Sequence, residues 1–258
     1  MLFTLGVPFS LGFSIIVLTI IIRLILYPLT TAQLKASKKM QDLSPHISKL
    51  KDKHKGDAKM LQQETMRLYK EFGVNPMAGC LPLLIQLPVI WGLYSVLMKV
   101  INLGANTVSE VNKIAYVDFV KISKPWDVYF FGLPLAQNPS QLLDSMGPII
   151  LLVPILTGVF QFVQSKMMMS ATPKKEDKKL TEVKPGSSGK KDEDFATAFQ
   201  KQSLYIFPAM IGFLSYTFPI GLSLYWNTFT IFGIIQQYKV SGLGGVEEWI
   251  KKYGQKIR

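Results

Sequence analysis

The sequence predicts an all-α integral membrane protein, with five transmembrane helices and a cytoplasmic antiparallel helical hairpin between the first two. Two observations lead to this fold class. First, only 18% of the 258 residues are charged and the mean hydropathy is +0.24, whereas soluble domains average roughly 25% charged residues. Second, the net charge is nevertheless +12. The charged residues must therefore be concentrated outside long apolar stretches.

The five spans follow from four runs of residues that contain no charged side chain: 1–22, 72–98, 145–165 and 202–238. A transmembrane helix needs about 20 apolar residues, so each of the first three runs accounts for one span. The fourth run would form a straight helix of about 55 Å, much longer than the roughly 30 Å hydrocarbon core. Pro219 and Gly221 near its middle favour a tight reversal. The predicted spans are residues 1–32, 77–100, 146–168, 202–218 and 219–240.

The distribution of basic residues predicts the side of the membrane on which each loop lies. Of the 29 Lys and Arg residues, 24 lie in the segments 31–71 and 166–201 and in the tail after Tyr238. The positive-inside rule makes these segments cytoplasmic, with the N-terminus outside and the C-terminus inside. The first apolar run has no basic residue before it and no small-residue cleavage pattern near its end. We therefore expect a retained span rather than a signal peptide.

The cytoplasmic segment 33–76 has the apolar periodicity of two amphipathic helices. Gly56 is expected to end the first helix, Asp57 to cap the second, and Gly73 to stand just beyond its end. Pro45 is expected to kink or restart the first helix. A solvated surface loop is the ordinary interpretation of such a segment. The apolar stripes favour mutual packing of the two helices together with transient docking of a partner.

The remaining water-exposed segments have three different compositions. Residues 101–145 are predicted to form a partly helical extracytoplasmic loop, with aromatic residues suited to the membrane interface at Trp126, Tyr129, Phe130 and Phe131. Residues 169–201 have the composition of a disordered cytoplasmic loop. Residues 241–258 form a basic amphipathic tail, which suits either an anionic lipid surface or an RNA-rich partner.

One charged residue, Arg23, interrupts the apolar spans. A cation in hydrocarbon costs at least about 2.5 to 3.5 kcal/mol on insertion scales, so such residues commonly mark a function. Snorkelling of the side chain to the cytoplasmic interface is the alternative. Thr19, Arg23, Tyr27 and Thr30 follow a helical spacing of four, four and three residues. Because Arg23 belongs to this polar stripe, we favour a functional role.

The other predicted spans carry polar faces as well. They contain Thr157, Gln161 and Gln164 in the third span, Ser223, Asn227 and Thr230 in the fifth, and Gln86 in the second. Each face taken alone is most simply explained as a contact between helices. Together with the stripe that contains Arg23 they make four polar faces, which favour convergence on a hydrophilic cavity. No Asp or Glu occurs in a span, which argues against a proton-coupled or cation transporter.

Soluble-enzyme chemistry has no support in the sequence. There is no nucleotide-binding glycine loop and no metal-ligand spacing, and the two histidines, His46 and His54, lie in the predicted hairpin. The single cysteine, Cys80, excludes an intramolecular disulfide. We therefore expect a protein that is not an enzyme and needs no cofactor or metal.

Three stretches of this sequence resemble the YidC/Oxa/Alb membrane protein insertases. They are Thr19-Ile-Ile-Ile-Arg23 with Tyr27-Pro-Leu-Thr30, the run Val74-Asn-Pro-Met-Ala-Gly-Cys-Leu-Pro-Leu-Leu-Ile-Gln-Leu-Pro88, and Phe218-Pro-Ile-Gly-Leu-Ser-Leu-Tyr-Trp226 with Ile234-Ile-Gln-Gln237. The resemblance covers nearly the whole chain. Among the members of the family, the chain is similar to the minimal bacterial form. It implies a groove open to the cytoplasm and to lipid, with Arg23 as the family's intramembrane arginine.

The resemblance implies insertion of nascent membrane proteins without ATP hydrolysis, in a bacterial plasma membrane. The expected partners are nascent membrane proteins, a Sec translocon, the lipid bilayer and, weakly or indirectly, the ribosome, and we expect a functional monomer. A small-solute channel or transporter is the main alternative, and a purely structural assembly chaperone is another. The residues predicted to line the substrate groove are Arg23, Thr19, Tyr27, Gln86, Gln161, Gln164, Tyr225, Asn227 and Thr230.

Overall fold

The computed structural model of this chain is mostly helical. It describes residues 9–54, 56–74, 81–103, 107–114, 121, 127–168 and 191–254. The chain divides into two compact units, and each is described by itself. Unit 1 comprises Met1–Pro28, Pro82–Gln161 and Pro208–Gly233, and unit 2 comprises Leu29–Leu81, Phe162–Phe207 and Ile234–Arg258.

The first predicted span is not one helix in the structure. Helix α1 comprises Ser10–Ile25 and helix α2 comprises Tyr27–Asp42. Pro28 is the second residue of α2, where a proline is favoured because the first amides of a helix have no acceptor within it. The same missing amide prevents α1 from continuing unchanged through this position. The predicted boundary at residue 32 therefore lies inside α2, and not at the end of a helix.

Two helices in unit 2 agree with the predictions for residues 33–76. Helix α3 (Ser44–Lys53) has Pro45 in its first turn, as expected for a restart. Helix α4 (Ala58–Glu71) is capped by Asp57, whose Oδ1 accepts a 3.0 Å hydrogen bond from the Met60 amide. The helices contact each other. Gly56 (φ 93°) and Gly73 (φ 62°) take left-handed conformations just before α4 and just after it.

A small β-hairpin in unit 1 is absent from the all-α prediction. Strands β1 (Tyr129–Phe130) and β2 (Leu133–Pro134) pair antiparallel. The Asp127 carboxylate accepts hydrogen bonds from the Tyr129 amide and from the Phe9 amide before α1, both at 3.0 Å. Strands of two residues are too short to show an alternating pattern, so the sequence gives no periodic signal for them. Trp126, predicted beside them, lies outside the described residues.

The other elements follow in chain order. They are α5 (Leu81–Leu103), α6 (Thr107–Ile114), α7 (Pro139–Met146), a 3-10 turn at Gly147–Leu151, α8 (Leu152–Met167), α9 (Lys191–Thr217), α10 (Ile220–Ser241) and α11 (Gly245–Gly254). Helix α9 begins inside residues 169–201, which composition predicts to be disordered. The motif residues 75–80 and the loop residues 169–190 lie outside the described part of the chain.

The break between α9 and α10 falls at the predicted Pro219. The Gly221 amide, in the first turn of α10, donates a 2.8 Å hydrogen bond to the carbonyl of Leu135, which follows β2. A Cβ atom at Gly221 would stand 3.1 Å from that same oxygen. Glycine therefore allows the close approach of the two backbones at this position. The core of unit 1 collects around this junction, with Leu97, Leu135 and Ile220 all buried.

Helices α8 and α9 approach closely within unit 1. A Cβ atom on Gly212 would lie 3.3 Å from the Pro154 carbonyl oxygen and 3.6 Å from the Gly158 Cα. Small residues at helix crossings in membranes allow such backbone contact, which replaces the hydrophobic driving force that lipid does not supply.

Some of the described helices are long and apolar enough to cross a membrane. The continuous helical stretch Pro139–Met167, with 29 residues, meets this criterion, and Ser10–Ile25 with Tyr27–Asp42 meets it as a bent pair. Leu204–Thr217 is a shorter apolar helix. This criterion supports at least one span among the described residues, and the count of five stays a prediction.

Candidate functional site

Arg23 is buried in unit 1, although it carries a charge. Its side chain is 5% exposed. Nε and Nη2 both donate to the Phe229 carbonyl oxygen, at 3.1 and 2.6 Å. The guanidinium carbon lies 3.4 Å from the centre of the Phe229 ring and 5.9 Å from that of Phe232. One residue of α10 thus supplies both a carbonyl and an aromatic face to the cation.

The positive charge of Arg23 is not balanced by its neighbours. The partners of Arg23 are a carbonyl dipole and two ring faces, and within the described ranges no ion pair to Arg23 is formed. Carbonyl oxygens and aromatic rings attract a cation, but they carry no net charge. Arg23 and these partners together therefore keep a net positive charge that a carboxylate could neutralise.

Gln86 and Tyr225 extend this cluster, which we call the arginine cluster (Arg23, Gln86, Tyr225 and Phe229). The Gln86 amide Nε2 donates to the Tyr225 hydroxyl. The Tyr225 and Phe229 rings lie 5.9 Å apart, one helical turn from each other on α10. Tyr225 is 2% exposed and belongs to the apolar core as well. Residues from α1, α5 and α10 therefore meet here within unit 1.

A second polar group, the hydroxyl cluster, joins Thr157, Ser215 and Ser223. The Ser215 Oγ lies 3.2 Å from Thr157 Oγ1 and 2.7 Å from Ser223 Oγ. All three residues are buried. A cavity of about 20 Å³ adjoins them, lined also by Trp226, and this is space for roughly one water molecule. Neutral hydroxyls satisfy one another here without any ion.

Trp226 and Gln161 form a further contact between α8 and α10. The indole Nε1 donates a 3.1 Å hydrogen bond to the Gln161 Oε1. Gln161 is 8% exposed. An indole donor needs a partner when it is buried, and the amide oxygen supplies one. Gln161 is one of the predicted groove residues, and in this structure its side-chain oxygen is bound by the indole of Trp226.

The structure places the predicted groove residues unevenly. Those in unit 1 are Thr19, Arg23, Tyr27, Gln86, Gln161, Tyr225, Asn227 and Thr230, and Gln164 belongs to unit 2. Tyr27 is 37% exposed, whereas Thr19 and Thr230 are each 1% exposed. Thr19 Oγ1 donates to the Ile15 carbonyl at 2.6 Å. The stripe predicted from Thr19 to Thr30 does not run as one helical face, because the helix breaks at Leu26.

Two of the predicted groove residues on α10 have a polar side-chain atom that remains unsatisfied among the described residues. The Asn227 Oδ1 and the Thr230 Oγ1 are buried without a hydrogen-bond partner. Such groups are costly and usually have a reason, such as water or a ligand that occupies the site at another stage. Both residues are among those predicted to line the groove.

Sequence reasoning missed Ser215, Phe229 and Phe232 as members of these clusters. Ser215 had a usable signal, because it is a polar residue in an apolar run. The two phenylalanines had none, since Phe229 acts through its carbonyl and its ring, and Phe232 through its ring alone. Backbone groups have no signature in the side-chain pattern.

Unit 2 contains its own polar contacts. The Gln236 Nε2 donates to the hydroxyls of Thr30 at 2.8 Å and Thr31 at 3.0 Å. Gln41 donates from its side-chain amide to the Met168 carbonyl. Helix α2 is thereby joined to α10 and to the end of α8 within this unit. Within the described ranges, no group of three His, Cys, Asp or Glu residues could hold a metal ion.

The chain was compared with protein families and known proteins. The model of the 60Kd inner membrane protein family matches residues 3–243. The membrane protein insertase YidC of Fusobacterium nucleatum is 34% identical over 236 residues, which cover 91% of this chain and 88% of the relative. The insertase YidC of Oceanobacillus iheyensis is 31% identical, over 87% of this chain and 72% of the relative.

Two further comparisons involve longer proteins. The chloroplast inner membrane protein ALBINO3 of Arabidopsis thaliana is 33% identical, over 97% of this chain and 51% of its own length. A crystal structure of an active YidC insertase, with its first transmembrane domain resolved, matches with a TM-score of 0.52 and 29% identity. That match covers 89% of this chain and 41% of the solved one. The chain therefore belongs to the 60Kd inner membrane protein family, the family of the YidC membrane protein insertases.

Proposed function

We propose that this chain inserts nascent membrane proteins into the bilayer, and that Arg23 attracts the acidic part of the segment that must cross. The observation that carries this proposal is a buried cation whose described partners are uncharged. A carboxylate carries the opposite charge and can accept two parallel N–H···O bonds from a guanidinium, whereas the Phe229 carbonyl offers a single neutral oxygen. A carboxylate on the substrate can therefore compete with the Phe229 carbonyl for the guanidinium.

The physical obstacle to insertion is the polar segment. Each unsatisfied polar group in hydrocarbon costs several kcal/mol, and a charge costs more. Groups on the predicted groove face would offer exchangeable hydrogen bonds to this segment. Asn227 and Thr230 have buried acceptors that no described residue satisfies, which suits this role. Gln86 and Tyr225 would release each other and bind the substrate in the same way.

The driving force is supplied by the substrate itself. Burial of its apolar helix in lipid is favourable by about 25 cal/mol per Å² of apolar surface. An incoming helix of about 20 residues is long enough to cross the hydrocarbon core once its polar flank has passed. The proposed reaction therefore requires no ATP hydrolysis and no catalytic residue.

The proposed topology has five spans, an N-terminus outside and a C-terminus in the cytoplasm of a bacterial cell. Helices α3 and α4 would form the cytoplasmic hairpin that first receives the nascent chain, which the basic character of residues 31–71 supports. We propose that the protein acts as a monomer and cooperates with a Sec translocon, and that ribosome contact is weak or indirect.

Insertion of two matched substrates into proteoliposomes tests the role of Arg23. The substrates differ only in whether their translocated N-terminal tail is acidic or neutral. We expect Arg23→Ala to reduce insertion of the acidic tail about tenfold, equivalent to about 1.4 kcal/mol, and to affect the neutral tail much less. Arg23→Lys keeps the charge but loses the two-pronged contact with Phe229, so insertion of the acidic tail should be partly retained.

The control is Lys239→Ala, which removes an exposed cation in the last turn of α10 that is not among the predicted groove residues. Folding of each variant is checked by protease resistance in the same liposomes. Equal loss for both tails in Arg23→Ala would show that the arginine supports structure rather than substrate attraction. Unchanged insertion of both tails would contradict any role of the cation in transfer.

A further inference from the structure

The β-hairpin of unit 1 turns through an unfavourable residue. Phe130 pairs with Leu133, so Phe131 and Gly132 form a two-residue turn. Both take positive φ angles, 48° at Phe131 and 83° at Gly132. Such turns strongly prefer Asn or Asp followed by Gly, because a bulky side chain with positive φ is strained. A phenylalanine here calls for a compensating role.

Burial does not compensate for this strain. The Phe131 side chain is 70% exposed, and Tyr129 in the same hairpin is 51% exposed. Phe131 instead stacks on Phe9, with ring centres 5.0 Å apart and planes 21° apart. Phe9 also has a positive φ of 59°. Two strained residues thus place two aromatic rings face to face at the surface.

This aromatic pair is fixed to the start of α1. The Asp127 carboxylate accepts from the Phe9 amide and from the Tyr129 amide, and so joins helix and hairpin. The Phe130 ring lies directly on Gly12, where a Cβ atom would come within 2.1 Å of it. The hairpin therefore follows α1 as a rigid extension, and a side chain at position 12 would displace it.

The surface of α1 continues this aromatic pair towards the lipid. The exposed side chains along the helix are apolar: Phe13, Val17, Leu18, Ile20, Ile21, Leu24 and Ile25. Sixteen residues of helix are about 24 Å long, close to the thickness of the hydrocarbon core. Phe9 and Phe131 lie at the N-terminal end of this apolar face. Rings at such a position suit the boundary between headgroups and acyl chains.

We propose that Phe131, stacked on Phe9, is an aromatic anchor that inserts into the headgroup region on the extracytoplasmic side of the membrane. It would thereby set the depth of α1 in the bilayer, and with it the depth of Arg23. The inference rests on the topology proposed above, in which the start of α1 faces outward. The occupant of this surface is lipid, because the pair continues an apolar helix face, whereas the exposed side chains of Gln137 and Asp144 in the same unit are polar.

The anchor is tested by the depth of a fluorescent label in proteoliposomes. Cys80→Ser removes the native thiol, and Phe131→Cys or Gln137→Cys then carries an environment-sensitive dye. We expect nitroxide lipids labelled near the headgroup to quench the dye at position 131, and aqueous iodide to quench it at position 137. Quenching of both positions by iodide alone would overturn the proposal. Protection of position 131 from both quenchers would also overturn it, since a protein surface would then cover the site.

A second pair of variants tests whether the attachment of the hairpin to α1 holds the label in the membrane interface. In the Phe131→Cys background, Gly12→Ala should displace Phe130 and reduce lipid quenching, whereas Gly92→Ala, which meets no atom within 4 Å, should leave it unchanged. Unchanged quenching in Gly12→Ala would contradict the attachment to α1. Insertion activity is measured on the same samples. In the labelled variants that keep Gly12, absence of lipid quenching with normal insertion refutes the anchor alone, and lipid quenching with no insertion refutes the proposed function alone.

Discussion

The arginine cluster and the hydroxyl cluster lie in the same unit and are both buried, yet they are satisfied in different ways. In the hydroxyl cluster, Ser215 forms hydrogen bonds with Thr157 and Ser223, and each hydroxyl can act both as donor and as acceptor. Arg23 has five N–H donors and no acceptor, and its described partners are one carbonyl and two rings. The first cluster is closed, whereas the second retains a charge.

This difference indicates that the hydroxyl cluster contributes to stability and the arginine cluster to function. A closed set of neutral hydroxyls holds helices together at little electrostatic cost, as polar contacts between membrane helices commonly do. A cation without a counter-charge is costly inside a membrane and is retained where it meets an ion or a substrate. We therefore expect changes in the hydroxyl cluster to alter folding, and changes at Arg23 to alter which substrates are inserted.

Gly212→Val should give the largest loss of stability and should act on the hydroxyl cluster alone. The new side chain would start 3.3 Å from the Pro154 carbonyl, force α8 from α9 and break the neighbouring Ser215 contact with Thr157. Overpacking costs about 1 to 3 kcal/mol, and we expect the upper end. The free energy of unfolding is measured by titration with a denaturing detergent. An unchanged value would contradict the close crossing.

Ser215→Ala should cost about 1 to 2 kcal/mol, because it removes the central hydroxyl and with it the contacts to both Thr157 and Ser223. The triple variant Thr157→Val, Ser215→Ala and Ser223→Ala should recover part of this loss, since no polar atom of the cluster then remains. The same detergent titration provides the measurement. A triple variant whose total loss equals the sum of the three single-variant losses would show that the hydroxyls do not act as a unit.

Phe229→Leu should cost about 1 kcal/mol beyond the effect of lost volume, because it removes the ring beneath the guanidinium and keeps the carbonyl. The matched control is Phe232→Leu, whose ring is 5.9 Å from the guanidinium carbon rather than 3.4 Å. Insertion of acidic tails should be retained in Phe229→Leu despite the lower stability. A selective loss of acidic substrates would show that the ring, rather than the charge alone, organises the site.

Tyr225→Phe should have the smallest effect, about 0.6 kcal/mol, which is the average for a hydrogen bond between membrane helices. The change removes the hydroxyl that accepts from Gln86 and keeps the ring contact with Phe229. A double-mutant cycle with Gln86→Leu measures the coupling energy. A coupling near zero would remove Gln86 from the arginine cluster.

Local signals in the sequence predicted local structure well. Asp57 caps α4, Pro45 restarts a helix, Gly73 follows a helix end, and Pro219 separates α9 from α10. These positions depend on backbone dihedrals and on hydrogen bonds within a few residues, which the side chain itself largely determines. Pro28 carried the same kind of signal, but its effect on the first span was not foreseen.

Contacts between distant residues were predicted only in part. Polar residues in the apolar spans singled out Arg23 and Gln86, the family resemblance added Tyr225, and the structure brings the three into one cluster. Polar spacing also placed Tyr27 in the stripe of Arg23, and that side chain is 37% exposed beyond the break in the helix. The hairpin at Tyr129 to Pro134 escaped prediction because its strands are too short to show a period.

The sequence by itself determined a membrane protein with basic segments between its apolar runs and one cation among apolar residues. Charge-free runs and the distribution of lysine and arginine depend on composition alone, because the cost of a charge in hydrocarbon does not depend on how the helices pack. Only the tertiary structure decided what surrounds Arg23. Its partners are a carbonyl and a ring of a residue 206 positions away, and no side-chain pattern encodes a backbone oxygen that packing brings into reach.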